Sequence, residues 1–356
     1  VTATSSRARR RGGLRVAVAA LAALFATGFG AAPVAAADGG NHGAATAVPA
    51  STTNPAAPDT GGDDVSPMIV GGERAPQAYA GAGSIQSKKN GVPDWHSCGG
   101  ALIAPRFVVT ASHCLTKQPP APQRADKAGE LAWQAFQQAP PPQRAGVGTQ
   151  AEPHDPSQYT LRIGSTNRFH GGVVTRVRSI STPTGWEWGM PDQDGYIWDI
   201  ALIELDRAIP SWLVKPAKLA LPRAGQPARE IGWGVREADP AQWGAPAPAW
   251  LHQLDVPIAL DGDCAQAGIG RGEICLGTAP GGGTACAGDS GSGALQRHGR
   301  DWVLIGLASR SHTQACVSST IYTKVAEPRF LWWMIRTMHQ RDPHTQVTQT
   351  DLTLAG

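Results

Sequence analysis

Residues 288–293 read Gly288-Asp289-Ser290-Gly291-Ser292-Gly293, and Gly281-Gly282-Gly283 stands just upstream. Glycines on both sides of a serine let the main chain bend tightly and approach a bound molecule closely, because they carry no Cβ. Gly, Asp and Ser also favour ordinary surface turns, so the stretch acquires chemical meaning only with partners elsewhere. Two other motifs fail here. A phosphate-cradling G-x-x-x-x-G-K-[ST] loop fits Gly283 to Ser290 except that Asp289 replaces the lysine, and a carboxylate there repels phosphate. A G-x-S-x-G elbow fails because Ser292 occupies the place of the final glycine. Ser290 is therefore a candidate nucleophile, which needs a base for its proton and backbone donors for the oxygen that gains charge.

Of the ten histidines, His113 stands apart in Thr110-Ala111-Ser112-His113-Cys114, directly after the apolar run Phe107–Thr110. An imidazole titrates near neutrality and is the natural proton acceptor. A lone histidine after a strand is more often a structural hydrogen-bonder, so His113 also depends on partners. Asp199 precedes Ile200-Ala201-Leu202-Ile203-Glu204-Leu205 and sits where the chain enters a core. Asp192 and Asp194 lie in a polar loop and are expected on solvated surface. A buried aspartate accepting from an imidazole holds its tautomer and stabilises the imidazolium.

Short β-like runs bounded by Gly, Pro and Asp recur through the rest of the chain. They are Gly83–Gln86, His96–Ile103, Phe107–Thr110, Thr160–Ile163, Val173–Ser179 and Ile200–Leu205, then Ala228–Trp233, Leu251–Pro257, Glu273–Leu276, Gly293–Arg297, Trp302–Ala308 and Thr320–Lys324. This spacing predicts an all-β fold, and the proline-bearing connection Pro210–Pro222 divides it into two halves of six strands, about 69–209 and 210–327. Two stretches are helical instead. Within Pro119–Pro142, Ala128, Leu131, Ala132, Ala135 and Phe136 repeat at helical spacing, and Pro328–His339 reads as a closing helix. A polar tail is expected over 341–356.

The start of the chain reads as an export signal over 1–37: a basic cluster from Arg7 to Arg15, an uncharged apolar run from Val16 to Gly30, and Ala35-Ala36-Ala37 before Asp38. Residues 38–68 are low in apolar content and are expected to be loose, with the folded unit (69–340) beginning at Ile69-Val70-Gly71-Gly72. A formal net charge of +3 with 17% charged residues gives no ground for nucleic-acid or membrane binding once the signal is removed. Six cysteines behind an export signal read as three disulfides in an oxidising compartment, with the connectivity left open. Neither calcium-loop nor metal-ligand spacing occurs, and no cofactor is expected.

Ile69-Val70-Gly71-Gly72, Thr110-Ala111-Ser112-His113-Cys114, Asp199-Ile200-Ala201-Leu202 and Gly288-Asp289-Ser290-Gly291, in this order, resemble the chymotrypsin/trypsin family of serine proteases over about Ile69 to Met338. The resemblance implies two six-stranded antiparallel Greek-key barrels with a C-terminal helix and a cleft between the barrels. It implies His113 as general base, Asp199 as its orienter, Ser290 as nucleophile, and the amides of Gly288 and Ser290 as oxyanion hole. It pairs Cys98 with Cys114, Cys264 with Cys275, and Cys286 with Cys316. It also implies a secreted zymogen cut before Ile69, whose new ammonium inserts beside Asp289. Its partners are a protein or peptide substrate, with a proteinaceous inhibitor and a maturing protease as candidates. A non-catalytic binding or adhesion protein on the same scaffold, or an esterase with the same triad, are the competing readings.

Several positions depart from the family pattern. Met68 is not the basic residue usual before the activation cut. Thr284, six residues before Ser290, stands where trypsins carry an aspartate, which argues against Arg or Lys preference. Ser309, Ser311 and Thr320 are assigned to the substrate wall, where Arg310 replaces a common aromatic and Ser311 and Thr320 replace glycines. Cleavage after small or medium uncharged residues is the expectation. The Pro119–Pro142 insertion is expected at the leaving-group side of the cleft, and the loop Trp186–Trp198 at the other.

Overall fold

Along Tyr159–Ile163, Tyr159, Leu161 and Ile163 are buried while Thr160 and Arg162 are half-exposed, the period-two pattern of a strand with one face on a core. Such strands make up most of the molecule. The computed structural model describes residues 69–89, 91–117, 151–236, 238, 247–311 and 316–343. After a two-residue strand β1 (Glu73–Arg74) come β2 (Ala82–Lys89), β3 (Val92–Ala104), β4 (Phe107–Thr110), β5 (Tyr159–Ile163), β6 (Val173–Ser181) and β7 (Ala201–Leu205). Strands β2 to β7 close an antiparallel barrel in the order β2-β3-β4-β7-β6-β5. A second sheet contains β8 (Ala228–Gly232), β9 (His252–Val256), β10 (Glu273–Leu276), β11 (Gly293–His298), β12 (Asp301–Ser311) and β13 (Thr320–Lys324). Its order is β1-β9-β8-β11-β12-β13-β10, and an antiparallel bridge between Ile258 and Leu276 ties the chain beyond β9 to β10. The all-β, two-barrel reading thus holds, with twelve strands where the sequence placed them. The addition is β1, too short and polar to register as a strand, which carries the first residues of the folded chain onto β9.

Each barrel has its own core. Ile85, Leu102, Val108, Leu161, Ile163 and Ile203 fill the first, and Ile69, Val256, Ile274, Val303, Ile305 and Tyr322 the second. A third cluster joins them: Phe107, Val109, Ile200 and Leu202 from the first barrel meet Trp233, Leu295, Leu304 and Leu307 from the second. This explains why β4 and β7 are buried at every position, since both of their faces are covered. The connection between β7 and β8 runs along this seam, where the Ala217 amide donates to Leu102 O at 2.8 Å and the Ala220 amide to Leu304 O at 3.0 Å.

Helix α1 (Pro328–Arg341) starts at a proline, whose missing N–H costs nothing in a first turn. Phe330, Leu331, Met334 and Met338 form its buried face on the seam cluster. The helix ends two residues beyond the expected His339, so the expected tail begins with one helical residue. The expected signal (1–37), leader (38–68), Pro119–Pro142 helix and residues 344–356 lie outside the described residues.

Three disulfides, Cys98–Cys114, Cys264–Cys275 and Cys286–Cys316, pair all six cysteines. The first spans 16 residues and ties β3 to the turn that carries His113. Replacing Cys98 and Cys114 by serine is expected to lower the unfolding free energy by about 3 kcal/mol in a denaturant titration. A loss below about 1 kcal/mol would mean that the turn is held without the bridge.

Candidate active site

Residues Ser112–Cys114 form a single 3-10 turn directly after β4. Ser112 Oγ donates to Ile200 O at 2.6 Å, and the His113 amide donates to Asp199 Oδ1 at 3.0 Å. The ring Nδ1 of His113 lies 2.7 Å from Asp199 Oδ2. From the second barrel, Ser309 Oγ donates to the same Oδ2 at 2.6 Å, and Thr323 Oγ1 donates to the Asp199 carbonyl at 3.0 Å. Burial alone raises the pKa of Asp199, but the facing His113 charge and the hydrogen bonds from His113 and Ser309 outweigh it and hold the group below the usual carboxylate range. An ionised Asp199 accepts only, so His113 meets it with a proton on Nδ1. Ser309, expected in the substrate wall, thus turns its hydroxyl to Asp199.

The loop after β6 leans on the His113 turn. Trp186 is buried and donates through Nε1 to Thr116 Oγ1 at 3.2 Å, whereas half-buried Trp188 donates to Lys117 O at 3.2 Å with its ring 6.0 Å from the His113 ring. Asp192, expected on solvated surface, is half-buried and organises this loop instead. Its carboxylate accepts from the amides of Asp194 and Tyr196 and from Trp198 Nε1. Asp194 is exposed, as expected, and pairs with Arg329.

Ser290 is clamped between the barrels through its main chain. Its carbonyl accepts from the Gly99 amide of β3 at 2.8 Å, and the next amide, Gly291, donates to Ala308 O of β12 at 2.8 Å. Gly291 has φ +71, and a Cβ there would lie 2.2 Å from Thr110 Oγ1, so only glycine lets the serine turn sit this close to the His113 segment. Gly288, at φ +93, points its carbonyl to His96 Nε2 at 2.9 Å. His96 is buried, which pushes its pKa down to about 3, and its Nδ1 meets Ser84 Oγ at 2.8 Å. A neutral ring with its proton on Nε2 satisfies both contacts. Among the described residues, the amides of Gly288 and Ser290 donate to no group within the chain, and no hydrogen bond joins Ser290 Oγ to His113 Nε2.

Two further acids lie on one face of β8 and its extension. Asp289 is 1% exposed and accepts from the amides of Gly234 at 2.8 Å and Cys286 at 2.9 Å. Its carboxylate lies over Gly232, where a Cβ would fall 1.9 Å from Oδ1. Burial pushes its pKa up to about 7. Glu230, two residues before Gly232 on the same strand face, is 0% exposed. It accepts from the Ala285 amide at 2.8 Å and from Thr284 Oγ1 at 3.2 Å, and Thr284 Oγ1 meets Thr320 Oγ1 at 2.8 Å. Burial, then the Asp289 charge, raises the pKa of Glu230 to about 8. Ser311 pairs with Thr320 across β12 and β13, so Ser309, Ser311, Thr320 and Thr284 follow one another from Asp199 down to Glu230. Ile69 is 1% exposed, belongs to the same apolar cluster as Ala228, Ala285 and Tyr322, and has φ +49.

Cys98, His113 and Cys114 also cluster, but both sulfurs are in one disulfide and offer no thiolate to a metal. A sequence model of the family described as Trypsin matches residues 69–138 and 147–334. The chain belongs to the trypsin family. A trypsin from Simulium vittatum is 28% identical over 237 residues, covering 64% of this chain and 75% of its own. Trypsin delta from Drosophila erecta is 29% identical over 253 residues, and trypsin alpha from Drosophila melanogaster 28% over 254, each covering 68% of this chain and 78% of its own. As a trypsin-family member the chain is a serine endopeptidase acting on protein or peptide substrates. Among the described residues, no helix is long and apolar enough to cross a membrane.

Two residues of this trypsin-family site escaped the sequence reading. Arg310 was read only as a missing aromatic. Its guanidinium forms a bidentate pair with buried Glu273 at 2.5 and 2.9 Å, donates to Ala267 O and Gly268 O, and donates to Ser309 Oγ at 3.2 Å. Glu230 sat beside Arg229 inside the strand run Ala228–Trp233, and its only signal was a charged residue at a position of inward alternation. Its folded pKa is raised, so it contributes stability below its unfolded value and loses it as pH rises through about 8. In an uncut Ser290→Ala background, Glu230→Gln is therefore expected to gain stability relative to its parent between about pH 5 and pH 8, by on the order of a few kcal/mol. Thermal melts showing a pH-independent difference would mean that Glu230 is ionised throughout.

Proposed function

We propose that this trypsin-family chain is a secreted endopeptidase that works through His113, Asp199 and Ser290 by way of an acyl-enzyme. The observation that carries this reading is the 2.7 Å contact between His113 Nδ1 and an Asp199 carboxylate held by donors from both barrels. With its proton fixed on Nδ1, His113 takes the Ser290 proton through Nε2 as Oγ attacks the substrate carbonyl, then returns it to the leaving amine. The amides of Gly288 and Ser290, unengaged within the described chain, receive the oxyanion. Water repeats the sequence on the acyl-enzyme. Labelling of Ser290 by an organophosphate is expected in the wild type and lost in His113→Ala, and Asp199→Asn is expected to lower kcat by about 10⁴-fold. A wild-type chain that turns over peptides with Ser290→Ala unimpaired would end this reading.

The mature form begins at Ile69. In the uncut chain a β-branched residue sits at φ +49, an unfavourable conformation. Cutting the Met68–Ile69 bond removes the preceding carbonyl and with it that constraint. It also creates an ammonium beside Asp289, which is buried with amide donors alone among the described residues. Protein that retains residues 38–68 is expected to cleave peptides at least about 100-fold more slowly than protein starting at Ile69, as for loss of an oxyanion donor. Equal rates would remove the zymogen step. Either another secreted protease makes this cut or the enzyme processes itself, and Ile69 ends on isolated Ser290→Ala precursor exclude self-processing. A proteinaceous inhibitor is the further expected partner.

The side chain preceding the cleaved bond (P1) enters between Ser311 and Thr320 and meets Thr284. Buried threonines at both far positions leave a short, hydroxyl-lined recess, which fits small or medium uncharged residues at neutral pH. Export agrees with three disulfides, which form in oxidising compartments.

A further inference from the structure

Glu230 has no part in the chemistry of the triad, yet it is wholly buried and joined to the substrate recess by a line of hydroxyls. We propose that Glu230 is a specificity-determining residue: through Thr284 and Thr320, its carboxyl group sets whether the floor of the P1 recess accepts or donates hydrogen bonds. The proposal rests on the P1 assignment given above.

The donor inventory forces the connection. An ionised carboxylate only accepts. Its Oε2 takes the Ala285 N–H, so the Thr284 hydroxyl must turn its single proton toward Glu230. Thr284 then has no proton left for Thr320, and Thr320 must donate to Thr284 across their 2.8 Å contact. The floor is left with lone pairs and a negative charge behind them, which suits a guanidinium. A neutral Glu230 carries a proton of its own, and the line is free to run the other way, from Glu230 to Thr284 to Thr320. The floor then presents a hydroxyl proton and no charge, which suits uncharged side chains.

The surroundings decide where this change falls. Asp289 faces Glu230 from the turn before the nucleophile, Tyr322 faces it from β13, and Thr284 and Ala285 hold it from the adjoining segment. Arg229 and Ile231 project from the opposite face of β8. In the cut chain the Ile69 ammonium joins Asp289. In the uncut chain burial, then the Asp289 charge, raises the pKa of Glu230 to about 8; burial, the larger cause, remains after the cut, so the uncharged preference holds at the low end of the pH range and yields as pH rises.

The test uses matured enzyme starting at Ile69 and peptides that differ only at P1, carrying Val or Arg. Arginine stays charged throughout, so the substrate does not titrate. The ratio of kcat/KM for Arg over Val cancels the titration of the triad and of the new amino terminus. It is expected to rise at least about tenfold between about pH 6.5 and pH 9.5, the discrimination of one charge-assisted hydrogen bond. In Glu230→Gln the ratio is expected to stay within about twofold over the same range, and Thr284→Val, which interrupts the line but keeps the acid, is expected to flatten it as well. A wild-type ratio that does not move with pH overturns the proposal, even if neither variant folds. An equal rise in Glu230→Gln overturns it too. Either result leaves the protease reading standing, whereas a matured wild type that cleaves no peptide removes both.

Discussion

A carboxylate that is 2% exposed must be met by donors or give up its charge, and Asp199 is met from two directions. His113 approaches from the turn after β4, and Ser309 from β12 of the other barrel. Neither barrel alone completes the set. The seam cluster of Phe107, Ile200, Leu202, Leu295, Leu304 and Leu307 therefore does more than add buried apolar area. It brings the second set of donors to a charge that the first barrel only half satisfies, so packing and electrostatics impose the same requirement. Thr323, by fixing the Asp199 carbonyl, adds a main-chain tie across the same seam.

Four of the buried acids of this protein form a series that shows what decides charge in a core. Asp199 has an imidazole and several donors and is held below its usual range. Glu273 has Arg310 in bidentate contact and the Gly270 amide, yet burial still leaves its pKa raised. Asp289 has two amides and is raised to about 7, and Glu230, with one amide, the hydroxyls of Tyr322 and Thr284 and a like-charged neighbour, reaches about 8. Burial is common to all four. Opposite charge and donors offset burial, and a like-charged neighbour adds to it. A polar residue inside a barrel is thus informative only when its partners are known.

That is also where the sequence ran out. The strands of both barrels were legible because alternation and turn residues act over a few neighbouring positions. His113 and Ser290 stood out because each lies beside residues with a local rationale, a strand end and a glycine-flanked turn. Glu230 and Arg310 gave no such signal. Glu230 lies in β8 and its partners Thr284 and Thr320 are far along the chain, while Arg310 is meaningful only against Glu273. Asp192 is half-buried rather than solvated for a related reason: its loop lacks an apolar run, but the carboxylate itself organises the backbone around it. Strand β1 was missed because two polar residues on a sheet edge have no pattern to show.

The proposed maturation and the proposed specificity meet in one place. Ile69 shares one apolar cluster with Ala228, Ala285 and Tyr322, and these three residues flank Glu230: Ala228 two positions before it on β8, Ala285 through its amide, Tyr322 from β13. An ammonium freed at Ile69 enters beside Asp289, whose charge is the second cause holding Glu230 protonated. Neutralising Asp289 removes part of that repulsion and favours ionisation of Glu230. Completing the oxyanion hole and setting the charge beneath the P1 recess are then consequences of a single inserted cation. On this reading the uncut chain differs from the mature one in what its recess accepts as well as in whether it reacts, because the two carboxylates on one strand face cannot be tuned separately.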